Sequence, residues 1–81
     1  MTTYDYHGFR LEVCVEDARA RRSGYVAVVR VFRRDDPVAA FSPLRFGETG
    51  GHPFASEHDA LAGGYGAARR IVDDLFGEDA R

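Results

Sequence analysis

Tyr25-Val26-Ala27-Val28-Val29-Arg30-Val31-Phe32-Arg33-Arg34 is the stretch that decides the fold. It is rich in Val, Phe and Tyr, side chains that suit a pleated surface, and successive side chains of a strand point to opposite faces. Split by parity, Tyr25, Ala27, Val29 and Val31 carry no charge, whereas Val26, Val28 and Phe32 share their side with Arg30 and Arg34. Residues 25–34 therefore read as a strand whose uncharged set faces a core and whose other set faces away.

Upstream, residues 6–16 alternate in the same way, with Phe9, Leu11, Val13 and Val15 on one side and Arg10, Glu12, Cys14 and Glu16 on the other. That is the pattern of a half-buried strand. Between the two runs lies a polar stretch ending in Ser23-Gly24, which reads as a hairpin loop. Downstream, Asp35-Asp36-Pro37 is a turn signal, because Asp side chains bond nearby backbone and Pro presets φ. A third strand over 38–46 follows. Pro43 lacks an N–H and so puts this strand at a sheet edge or a bulge. Leu44 and Phe46 are assigned inward with Arg45 outside; a bulge at Pro43 would reverse parity and turn Phe41 in instead.

The clearest local signal starts at Ser56. Ser56-Glu57-His58-Asp59 resembles a capping box, with acids at the positive end of the helix dipole and Phe54 placed to clamp the entry. Leu61, Gly64, Tyr65, Ala68, Val72 and Leu75 recur at spacings of three and four, one apolar stripe of a helix over about 57–76, and Gly77 supplies a stop. Gly63, Gly64 and Gly66 each cost up to ~1 kcal/mol against Ala inside a helix. Gly64, on the stripe, is read as allowing close approach to the sheet; nothing in the sequence accounts for Gly63 and Gly66. The fold expected is one α+β domain over 1–81, a three-stranded antiparallel meander with one C-terminal helix on one face.

Composition agrees. Of 81 residues, 44% are apolar and 30% charged, which is ordinary for a folded chain with room for one core. No apolar run approaches the ~20 residues of a membrane span, and the first ten residues lack a basic-then-apolar leader pattern, so the cytoplasm is the expected address. One cysteine, Cys14, allows no internal disulfide. All eleven basic residues are arginine, which reads first as codon bias. Net charge is −2 but uneven: residues 1–47 hold eight arginines against six acids (+2), and residues 48–81 three against seven (−4).

Patterns that carry chemistry are weak. The glycine-rich loop from Gly47 to Gly51 precedes a helix but lacks the Gly-Lys-Ser/Thr ending of a phosphate cradle, and Glu57 and Asp59 already fill the helix entrance with negative charge. His52 and His58 give two of the three or four ligands that a metal site requires. Cys14 sits mid-strand between Glu12 and Glu16 rather than beside a base. Asp35/Asp36 and Asp73/Asp74 are adjacent pairs whose side chains diverge. Neither catalysis nor a cofactor nor a metal is expected.

The order of Tyr6-His7-Gly8-Phe9, Gly24-Tyr25, Phe54 with Ser56-Glu57 and Ala60, and Ala68-Arg69-Arg70-Ile71-Val72-Asp73 resembles small bacterial β-β-β-α proteins of unassigned activity. The resemblance spans most of the chain and implies the same fold; it transfers no functional residue.

One helix can cover only one side of the sheet. The other side is the expected interaction surface, formed by Arg10, Val26, Val28, Arg30, Phe32 and Arg34, with the apolar members exposed among arginines as in recognition surfaces. Two uses follow: binding a protein partner or a second copy, or binding nucleic acid with Arg10, Arg30, Arg34 and the loop residues Arg19, Arg21 and Arg22 on phosphates and base edges. The overall negative charge disfavours the latter.

Overall fold

A computed structural model describes residues 1–17, 24–40, 42–47 and 53–76. It is an α+β arrangement with elements β1 (Thr2–Tyr6), β2 (Phe9–Asp17), β3 (Tyr25–Arg33), β4 (Leu44–Phe46) and α1 (Glu57–Phe76). The strands form one antiparallel sheet in the order β1-β2-β3-β4, a meander. The expected count of three strands is corrected to four among the described residues. The strand expected over 6–16 begins only at Phe9, because His7 and Gly8 reverse the chain with φ of 49° and 83°. Two positive φ values in a two-residue loop are what the twist of a tight hairpin demands, and His at the first of them hides the turn from a reader looking for Asn or Asp. Thr2–Tyr6 is thereby free to fold back on β2, pairing Tyr6 with Phe9 and Thr2 with Val13.

The strand expected over 38–46 shrinks at the other side. Asp36 accepts a hydrogen bond from the Val38 N–H at 2.9 Å and Asp35 adopts φ 64°, so the turn extends further than Pro37 alone implies. Ala39 makes only an isolated bridge to Phe32, and regular pairing resumes after Pro43, at Leu44. As the proline requires, this strand is an edge. Leu44 pairs with Val29 and Phe46 with Ala27, which puts both on the inward parity, with Arg45 outside. Phe41 lies outside the described residues.

The β2–β3 register sets Val13 against Val29 and Leu11 against Val31, and these four, with Ala27, are fully buried. The helix meets them with Ala60, Gly64, Ala68 and Val72, one residue per turn. Gly64 is the contact point: a Cβ there would stand 2.7 Å from Val13 Cγ1 and 2.9 Å from Ala27 Cβ, so only glycine lets the helix backbone rest on β2 and β3. Gly63 has a reason that the sequence hides. A Cβ there would stand 2.5 Å from the Phe54 ring, so its absence makes room for that ring, while the Phe54 backbone exchanges two 2.9 Å hydrogen bonds with Tyr25. Phe54 thus bolts the approach to the helix onto β3. Around Gly66 a Cβ would meet nothing within 4 Å.

The helix start and end match the expected 57–76. Ser56 Oγ accepts from the Asp59 N–H at 3.1 Å, the N-cap bond that the serine was assigned. The stop at Gly77 lies outside the described residues. The apolar stripe needs one correction: Leu75 is 63% exposed, while Val72 and Phe76 on either side of it pack onto the core.

Candidate functional site: the helix-free face of the sheet

Because the helix rests on the odd-numbered residues of β2 and β3, the even-numbered ones form the opposite face. Register places them in rows: Asp5, Arg10 and Phe32; Thr3, Glu12 and Arg30; Cys14, Val28 and Arg45; Glu16 and Val26. Arg10, Val26, Val28, Arg30 and Phe32 therefore do come together as expected. Arg34 falls in the turn after β3, exposed, with its N–H donating to the Gly8 carbonyl at 2.9 Å.

The expected exposure of the apolar members is overturned. Val26, Val28 and Phe32 are only 2%, 6% and 8% exposed, although no described strand or helix lies over them. Long polar side chains contribute the cover. The Arg10 guanidinium lies 4.3 Å from the centre of the Phe32 ring, a cation–π contact. Its Nε is 3.3 Å from Glu12 Oε2, an ion pair whose angle is not that of a hydrogen bond, so the buried Nε–H has no aligned acceptor. Glu16 stands beside Val26 and Arg45 beside Val28, so the 2.8 Å hydrogen-bonded ion pair from Arg45 to Glu16 crosses β3 over the step between the two valines.

The face is thus a lattice of charges over an apolar floor. Arg10 and Arg45 are committed to Glu12 and Glu16, whereas Arg30 is exposed and has no ion pair or ring contact among the described residues. Arg45 completes the site from β4. Its contribution is readable from parity in the sequence, but the ion pair is not, since it depends on which residue of β2 the meander sets diagonally opposite. Cys14 is half-buried in the same face as a free thiol.

Elsewhere, a groove of about 580 Å³ between β4 and the end of the helix is lined by Ser42, Leu44, Ile71, Asp74 and Leu75. No group of three or more metal-ligating side chains occurs among the described residues. His52 and the loop arginines Arg19, Arg21 and Arg22 lie outside those residues, as does most of the Gly47–Gly51 loop. No described helix is long and apolar enough to cross a membrane. No family model, curated protein or solved structure matches the chain.

Proposed function

We propose that this chain is a cytoplasmic, non-catalytic interaction module that uses the helix-free sheet face to bind a protein partner or a second copy of itself. The observation that carries the reading is Arg30, exposed and without an ion pair among the described residues, standing beside the Arg10–Phe32 stack on a face with no described element above it. Arginine and aromatic side chains contribute disproportionately to interface energy. Here an acidic group on the partner can pair with Arg30 without first breaking an existing ion pair, while Arg34 extends the cationic border from the adjoining turn.

Phe32 and the valines support the face from below, so the informative substitutions are the charged ones. The double variant Arg30→Glu/Arg34→Glu keeps its fold and loses the partner identified by affinity capture and rebuilt from purified components. A partner that binds wild type and the double variant equally would refute the reading. Nucleic-acid binding remains the second use of the same arginines. It is disfavoured because Arg10 and Arg45 are neutralised by Glu12 and Glu16, and counterion release scales with cations free to meet phosphates. Retardation of random duplex in a gel shift at low salt would reverse this preference.

A further inference from the structure

Among the described residues, the hydrogen-bond parity of the sheet leaves one strand edge open. Tyr25 exchanges its N–H and C=O bonds with Phe54, and the Val31 carbonyl accepts from the Ala40 N–H, so odd residues of β3 bond away from β2. Even residues then bond toward β2, to Arg10, Glu12, Cys14 and Glu16. That turns Phe9, Leu11 and Val13 toward Tyr6, Tyr4 and Thr2 of β1. By elimination the N–H and C=O groups of Thr3 and Asp5 point out of the sheet, and no described residue bonds them. The far edge is different: β4 has three residues and follows Pro43, which has no N–H to offer.

A band of half-buried aromatic side chains runs beside this open edge on the helix side. Tyr4 stacks on Tyr65 with ring centres 4.1 Å apart, Arg69 lies 5.0 Å from the Tyr65 ring, and the Tyr6 hydroxyl donates to Asp73. The helix rests on β2 and β3, so these tyrosines fill the shoulder between helix and edge and remain accessible from the side.

We infer that β1 pairs antiparallel with β1 of a second copy, with Tyr4 on the twofold axis, making one continuous eight-stranded sheet. The register follows from the open groups. Thr3 of each copy opposes Asp5 of the other, four main-chain hydrogen bonds form, and each Thr3 hydroxyl is set to donate to the facing Asp5 carboxylate. A register centred on Asp5 would set two carboxylates directly opposite and is disfavoured. With Tyr4 on the axis, Tyr4 and Tyr65 of both copies meet, a self-complementary Tyr-rich centre such as a twofold contact requires. One open edge and one blunted edge close as a pair rather than propagating as a fibre. The association goes beyond the sheet-face reading and uses none of Arg10, Arg30 or Phe32.

Sedimentation equilibrium from low micromolar to millimolar chain tests it, with expected masses rising from 9.0 kDa toward twice that value. Thr3→Pro removes an outward N–H without touching the β1–β2 ladder, and should weaken self-association roughly 30-fold, the worth of two main-chain hydrogen bonds. Arg30→Glu should leave it unchanged, which separates failure here from failure of the sheet-face reading. Amide exchange in the wild type is the second arm: Thr3 and Asp5 amides should gain protection with concentration, and this arm decides if Thr3→Pro does not fold. A monomer at all concentrations, a pair that survives in folded Thr3→Pro or is lost in Arg30→Glu, or fast exchange at Thr3 and Asp5 throughout would overturn the inference.

Discussion

Two alanine substitutions one helical half-turn apart should move stability in opposite directions. Gly66→Ala adds a methyl where a Cβ meets nothing within 4 Å, so it collects the full helix-propensity gain, ~1 kcal/mol. In a domain of this size that raises the melting temperature by about 4–8 °C. Gly64→Ala has the same intrinsic gain, but its Cβ would sit 2.7 Å from Val13 Cγ1 and 2.9 Å from Ala27 Cβ. Carbon atoms prefer separations of ~3.5–4.0 Å, and Ala27 Cβ is fixed to the β3 backbone and cannot rotate aside. The helix must lift by roughly 0.5–1 Å, loosening Ala60, Ala68 and Val72 together, at an overpacking cost of about 1–3 kcal/mol. The net expectation for Gly64→Ala is a loss of up to about 2 kcal/mol, so the two variants should differ by ~1–3 kcal/mol. Urea titration followed by far-UV circular dichroism reads both. A Gly64→Ala protein as stable as Gly66→Ala would refute the close seating of the helix on β2 and β3.

Further expectations concern the sheet's two sides. The hydrogen bond to Asp73 is the main cause that raises the Tyr6 hydroxyl above the ordinary tyrosine value of 10.0, with slight desolvation and the Asp73 charge adding to it. A folded-state value above the unfolded one means that this contribution is complete below pH 10 and is lost as pH rises through the raised value. Wild type should therefore be more stable than Tyr6→Phe at neutral pH, with the gap closing above pH 10 in paired urea titrations; a gap that widens there would contradict the bond. Phe32→Ala should cost about 2–3 kcal/mol, less than the ~3–5 of an enclosed core because no described strand or helix covers that face. Arg10→Ala should cost ~0.5–1 kcal/mol from the lost ring contact. If chemical denaturation shows Phe32→Ala to be neutral, the apolar floor beneath the charges is not packed.

The parts of this fold legible in the sequence are those governed by local periodicity. Parity alone placed Ala27, Val29 and Val31 in the core, and Ser56 set the helix start, because each signal is complete within a few residues; Leu44 and Phe46 needed the β3–β4 register, since a bulge at Pro43 would have reversed their parity. The missed strand shows the limit: Thr2–Tyr6 becomes a strand only once His7-Gly8 takes two positive φ values, and His is a poor advertisement for that conformation. Gly63 could not be explained before Phe54, nine residues earlier, was seen to return over it. The open face was legible as a set of residues but not as a surface. Whether Val26, Val28 and Phe32 meet water depends on where Arg10, Glu16 and Arg45 lie, and the reach of long side chains across strands is a matter of register that no single-strand pattern contains.

The account depends on which side of the sheet the helix occupies, and a nuclear Overhauser experiment on isotope-labelled protein reads this directly. The Gly64 Hα protons should show strong cross-peaks to the methyl groups of Val13 and Ala27, and none to Val28 or the Phe32 ring. Cross-peaks from Gly64 to Val28 or Phe32 would put the helix on the opposite side and contradict the account.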